Sequence, residues 1–184
     1  MFALIEGTGA EGTGRLVAAA AADELRQRFN ARLLVRAADL QPAIESVHQR
    51  IAGVCSSPVH AGGAALVALL VVTHDVAHAL VHPDLEVLHV VQSRLASTIP
   101  CGASISLRLR AGDALVVCSS KLRELVEAAE IIRILGGCTD PDQAAAEILA
   151  LATSRDPCGE RSVLVIWPDA SGDHGAAMMA AGVA

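Results

Sequence analysis

Aromatic residues are nearly missing from this chain: its 184 residues include two phenylalanines, Phe2 and Phe29, one tryptophan, Trp167, and no tyrosine. A core must therefore be filled by Ala, Val, Leu and Ile, and no platform of stacked rings for bases or sugars can be assembled. Positive charge is also short. Fourteen Lys and Arg against twenty Asp and Glu leave a formal charge of −6, and no segment gathers cations into a stripe that would track phosphates, so nucleic acid is not expected as a partner. Long apolar runs are missing as well: the longest, Ala64 to Val72, stops at Thr73, His74 and Asp75, well short of the roughly 18 to 20 residues of a membrane span. The opening Met1-Phe2-Ala3-Leu4-Ile5-Glu6 has no basic region ahead of its apolar stretch and runs straight into a glycine loop, unlike a secretory signal; a cytoplasmic address without membrane contact is expected. The five cysteines, Cys55, Cys101, Cys118, Cys138 and Cys158, are odd in number, widely spaced and never in a Cys-x-x-Cys pair, so buried reduced thiols are expected rather than zinc or redox sites. No Gly-x-Ser-x-Gly elbow occurs, which removes the commonest serine-nucleophile signature.

What remains is an aliphatic chain, 53% hydrophobic, with enough apolar mass for one domain and its core. Phe2 to Ile5 reads as a strand that runs into a loop with four glycines, Gly7, Gly9, Gly12 and Gly14. Helical spacing of Leu16, Ala19, Ala20, Leu25 and Phe29 predicts a helix over 15–29, and Ile44, Val47, Ile51 and Val54 predict another over 40–54. Arg32 to Arg36 reads as a short strand. Ala64 to Val72, Ala77 to Val81 and Leu85 to Val91 follow as strands, and Ile105 to Arg110 is expected to pair with Ala114 to Cys118 as an antiparallel hairpin across Ala111-Gly112-Asp113. Helices over 124–135 and 142–152 and a strand over 162–167 complete the pattern. The domain is placed at 1–168, and the Ala- and Gly-rich tail 169–184 is expected to be disordered. Helices segregate from antiparallel strands, which is the α+β arrangement: a layered sandwich of sheets and helices.

Three constellations bear on chemistry. Gly7, Gly9 and Gly12, between a strand and a helix, fit the phosphate-cradling turn of an NAD(P)-binding Rossmann-like domain, with Asp39 as the ribose acid; the competing reading is a turn that lets helix and strand pack closely. His74, His78 and His82 recur every four residues beside Asp75 and would line one face of a helix as zinc ligands, but Pro83 and the Val and Leu content argue for strands, on which the imidazoles need not converge. Glu124, Glu127 and Glu130 share a helix with Arg123 and Arg133 and read as a solvated, ion-paired face. Cys118 reads as core.

Several segments far apart carry a further pattern. Phe2-Ala3-Leu4-Ile5-Glu6-Gly7-Thr8-Gly9 and the glycines after it, Ala61-Gly62-Gly63-Ala64 before an apolar strand, Gly112-Asp113-Ala114-Leu115-Val116-Val117-Cys118-Ser119-Ser120-Lys121-Leu122, and Gly159-Glu160-Arg161-Ser162-Val163-Leu164-Val165-Ile166 together resemble, in order and spacing, the metal-dependent protein serine/threonine phosphatases of the protein phosphatase 2C (PPM) family. The resemblance runs almost to Trp167. It implies a four-layer αββα sandwich of antiparallel sheets flanked by helix pairs, trimmed at the N-terminus because the family's first strand pair, with its phosphate-binding arginine, has no counterpart.

In that family aspartates hold two divalent ions whose bridging water attacks the phosphoryl group. Mapped residue by residue, the resemblance puts Glu6 and the Gly7 carbonyl on the first metal position, Ser120 and Lys121 on the Asp-Gly of the second, and Gly159 on the third with Glu160 beside it. Asp84, in His82-Pro83-Asp84, stands for a displaced acid. One matching carboxylate cannot neutralise two dications, and Lys121 adds repulsion. The implied function is a catalytically degenerate PPM-type phosphatase-like domain, a pseudophosphatase that acts by binding a protein partner or its own copy in phosphorylation signalling. No catalytic residue and no cofactor are expected, with weak metal at most at Glu6 and Gly7. The alternative is a weakly active Mn- or Mg-dependent protein serine/threonine phosphatase using Glu6, Glu160 and Asp84.

Overall fold

The computed structural model describes residues 1–10, 12–73, 75–99, 104–158, 160–168 and 174–181, the last of these and Thr73 by their backbone alone. In chain order the elements are β1 (Phe2–Thr8), α1 (Thr13–Asn30), α2 (Leu40–Val54), β2 (Ala64–Thr73), β3 (Val76–Val81), β4 (Leu85–Val91), β5 (Arg94–Ile99), β6 (Ser104–Arg108), β7 (Asp113–Ser119), α3 (Ser120–Leu125), α4 (Ala128–Gly137), α5 (Pro141–Arg155), β8 (Arg161–Pro168) and β9 (His174–Ala181). One sheet has the order β1-β2-β3-β6 and the other β5-β4-β7-β8-β9. Every pairing among the described residues is antiparallel.

Three apolar layers account for the stacking. Between the sheets lie Leu4, Ala68, Leu70, Ala79, Val87, Leu115, Val117 and Leu164. Val17, Ala21, Leu25, Ala43 and Val47 of α1 and α2 bury the opposite face of β2 through Val67, Leu69 and Val71, and Ile131, Ile148 and Ala145 of α4 and α5 cover β7 and β8 through Val116, Cys118, Val163 and Val165. Strands β2, β7 and β8 thus have both faces covered, which is why they read as continuous aliphatic runs. The αββα sandwich implied by the resemblance is the fold observed.

Four expectations need correction. The hairpin over 105–118 does not form: β6 pairs with β3 and β7 with β4 and β8, so the turn crosses between sheets. Local alternation fits either partner, but β6 alternates exposed and half-buried residues as an edge strand does, whereas β7 is buried throughout and needs a central slot. The turn itself is held by Asp113, whose carboxylate accepts the Arg110 backbone N–H at 2.8 Å, and by Gly112 at φ 89°. The helix expected over 124–135 breaks at Val126–Glu127, where Glu127 and Glu130 form a reciprocal capping box that starts α4. The stretch 32–36 is irregular: Leu34 is buried, and the Asp39 carboxylate accepts the Val35 and Arg36 N–H groups at 3.0 and 2.9 Å. Finally, disorder was expected over 169–184, but 174–181 pair with β8 along its whole length; β8 would otherwise be a long edge of unpaired backbone groups. Residues 169–173 and 182–184 lie outside the described residues. Strand β5, not foreseen, follows a two-residue turn in which Gln92 and Ser93 both have positive φ.

Candidate functional site

At one end of the sandwich, β1, the β3–β4 turn, the β7–α3 junction and the start of β8 meet around a cavity of about 520 Å³ lined by Glu6, Leu66, Asp84, Ser119, Ser120, Lys121, Cys158 and Glu160. Five of the residues singled out from sequence, Glu6, Asp84, Ser120, Lys121 and Glu160, therefore share one cavity although they lie far apart in the chain. Gly159 is outside the described residues. Gly7 is not among the lining residues; its place is against α1, where a Cβ would come within 1.7 Å of the Gly14 carbonyl oxygen.

Each position follows from local structure. Ser119 ends β7 and caps α3, its hydroxyl accepting the Leu122 N–H at 3.4 Å and the Ser162 N–H at 3.4 Å. Ser120 ties that helix start to the β3–β4 turn: its backbone N–H and its hydroxyl both donate to the Asp84 carbonyl, at 3.1 and 2.6 Å. The Asp84 side chain is left 67% exposed, with its carboxylate 3.6 Å from His82 Nδ1. Lys121, one residue into α3, and Glu160, just before β8, are exposed at the rim.

Glu6 is the half-buried carboxylate of the cavity, set against the buried Ser119 and Ser162. The Ser162 hydroxyl donates to its carboxylate, and the Ser119 hydroxyl also contributes. Burial pushes the Glu6 pKa above its ordinary value, with the negative charge of Glu160 adding to the rise and the two serines opposing it. Ser119 and Ser162 were not singled out from sequence as site residues. The usable signal was a serine directly before a helix-forming segment for one, and the hydroxyl position of the family strand for the other. Cys118, beneath the site, is a core thiol as expected, pushed by burial up to about 12.

The rival constellations do not assemble. His78 Nδ1 lies 2.7 Å from the Ser106 hydroxyl on β6, while the His82 Nδ1 accepts the Asp84 N–H at 3.2 Å; His74 is outside the described residues. The Rossmann-like reading is overturned by the antiparallel sheets, by the commitment of Asp39 to its own turn, and by the contact of Gly7 with Gly14, which makes the glycine loop a device for packing α1 tightly on β1.

No protein-family model and no curated protein matches the sequence. Solved structures do. A bacterial serine phosphatase superposes with a TM-score of 0.78 at 16% identity, covering 98% of this chain and 87% of its own. The Mycobacterium tuberculosis serine/threonine phosphatase PstP/Ppp gives 0.74 at 16%, covering 89% and 86%. The catalytic domain of PstP in complex with two manganese ions gives 0.75 at 15%, covering 89% and 84%.

The residues present here do not fit a pair of such ions. The half-buried carboxylate of Glu6 is already engaged by two serine hydroxyls, and its partial burial raises its pKa. Lys121 brings an ammonium group to the same cavity, and among the described residues no three His, Cys, Asp or Glu side chains converge to hold an ion. In architecture, however, the agreement spans nearly the whole chain: this protein has the αββα fold of the PPM-type serine/threonine phosphatases.

Proposed function

We propose that this protein is a catalytically degenerate PPM-type phosphatase-like domain that works by protein binding in a phosphorylation signalling pathway, without a resident metal. The observation that carries the reading is the content of the Glu6 cavity: at the β7–α3 junction Ser120 stands where the sequence resemblance calls for an aspartate, and Lys121 where it calls for a glycine. A dication would meet the Lys121 ammonium there, and the one half-buried carboxylate, Glu6, is already held by serine hydroxyls. Partner binding has a structural opening in β1, which pairs only with β2 among the described residues and, at seven residues without proline or bulge, is a ready template for a strand from a protein partner or a second copy.

A second reading is favoured by the gathering of Glu6, Asp84 and Glu160 at one cavity: a weakly active Mn- or Mg-dependent protein serine/threonine phosphatase. Hydrolysis of p-nitrophenyl phosphate across a manganese titration separates the two. The degenerate reading expects no turnover above the blank, and Glu6→Ala to behave like the wild type. Saturable, metal-dependent turnover that Glu6→Ala abolishes would overturn it. No helix among the described residues is long and apolar enough to cross a membrane, and a cytoplasmic setting, suited to such a partner role, belongs to the same proposal.

A further inference from the structure

We infer that the loop leaving α1 is a docking surface for an acidic, apolar segment of a protein partner. The stretch Arg26-Gln27-Arg28-Phe29-Asn30-Ala31-Arg32-Leu33-Leu34-Val35-Arg36 holds four of the fourteen basic residues and no acidic one, on a chain of net charge −6. It is too short to follow a phosphate backbone, and it is also apolar on its outside. Phe29 is 45% exposed, Leu33 57% and Val35 44%, whereas Leu34 between them is fully buried and anchors the loop to the helix layer. Half of the large exposed hydrophobic side chains of the described residues thus fall within seven positions, a concentration that marks interaction surfaces.

The helix end shows that these side chains are not serving the fold. Leu33 N–H donates to the Arg28 carbonyl at 2.9 Å and Arg32 N–H to the Phe29 carbonyl at 3.0 Å, the paired bonds of a Schellman ending. In such an ending the left-handed residue is ordinarily glycine, and the next residue folds an apolar side chain back onto the helix. Here the left-handed position, φ 57°, is Arg32, and the next residue, Leu33, points into solvent. Both depart from what local stability favours, and both put side chain outward.

Charge specifies the occupant. Arg26 pairs with Asp23 at 2.7 Å and Arg28 with Glu24 at 3.0 Å. Arg36 is 77% exposed and only loosely held by Asp39 at 3.5 Å, and Arg32 has no ion pair among the described residues. Two available guanidiniums interspersed with three apolar side chains match a segment with carboxylates around an apolar anchor. An anionic membrane fits less well, because the exposed carboxylate of Asp23 borders the patch and the patch lacks the second signal that stable anchoring needs. The inference stands apart from the Glu6 cavity and holds whether or not that cavity is active.

The test uses the full chain and a labelled synthetic helical peptide carrying Leu and Glu on one face, followed by fluorescence anisotropy. Saturable binding that weakens with salt, and that Arg32→Gly and Leu33→Ser each reduce about tenfold, is expected. Arg32→Gly is expected to melt no lower than the wild type, since glycine suits that conformation, so lost binding cannot be put down to unfolding. No binding, equal binding by the variants, equal binding of a Lys-for-Glu peptide, or preference for phosphatidylserine vesicles over the peptide would each overturn the inference.

Discussion

Replacing Gly7 by alanine is the sharpest perturbation of the packing account. A Cβ there would sit 1.7 Å from the Gly14 carbonyl oxygen and 2.6 Å from its carbon, both backbone atoms, and 3.1 Å from the Ala18 Cβ. Ordinary contact needs roughly 3.4 Å or more, so α1 must back away from β1 by on the order of 1.5 Å. That movement loosens contacts across the layer that buries Val17, Ala21 and Leu25, and overpacking against rigid backbone costs about 3 kcal/mol. For a chain of this size that corresponds to a melting temperature lower by about 6–12 °C. Gly12→Ala is the control: Gly12 has φ 80° but open space around its Cβ position, so its cost is limited to the left-handed conformation, about 1–2 kcal/mol. Calorimetry of the two variants under one buffer condition decides. If Gly7→Ala melts within about 2 °C of the wild type, or below Gly12→Ala by nothing measurable, the loop is not a packing device and the argument against a ligand cradle loses its main support.

Three further outcomes follow from charge and burial. Because burial raises the Glu6 pKa above the unfolded value near 4.5, the unfolded chain releases that proton first, and Glu6 lowers stability as pH rises through this range. Glu6→Gln should therefore gain on the wild type in urea midpoint between pH 4 and pH 8; a gap that stays constant or shrinks would refute the burial argument. Glu130 is held down to about 2 mainly by the two Arg155 hydrogen bonds, each at 2.7 Å; its stabilisation is present above the unfolded carboxylate pKa and lost as pH falls toward 2. Arg155→Ala should return Glu130 toward 4.5 in an NMR titration, and an unmoved titration would show that the pair is not formed in solution. A thiol reagent applied to native protein should modify exposed Cys158 quickly and leave Cys118 untouched until unfolding, whereas rapid labelling of Cys118 would contradict its place in the core.

Much of the fold was legible because periodicity and burial agree in most elements. Helix α2 has the bounds expected, with Ala43, Val47 and Ile51 buried on one stripe, and β2 was readable as a strand covered on both faces. What failed depended on tertiary choice. Nothing local to Ile105–Cys118 tells a hairpin from a sheet-to-sheet crossing, because a tight turn with Gly112 serves both. Likewise, the Ala- and Gly-rich 174–181 have weak strand propensity, and their pairing comes from the open backbone edge of β8. At the site, family resemblance located Glu6, Ser120, Lys121 and Glu160, which no spacing rule connects, and the structure gathers them at one cavity. It did not single out Ser119 and Ser162. These hydroxyls became visible only when the folded chain set them against the Glu6 carboxylate.

The central claim is that the Glu6 cavity no longer holds divalent ions, and direct manganese titration followed by electron paramagnetic resonance tests it without relying on any substrate. The account predicts that added manganese retains its free-ion signal in the presence of the protein and that Glu6→Ala changes nothing. Saturable loss of that signal, reaching two ions per chain and abolished in Glu6→Ala, would contradict it.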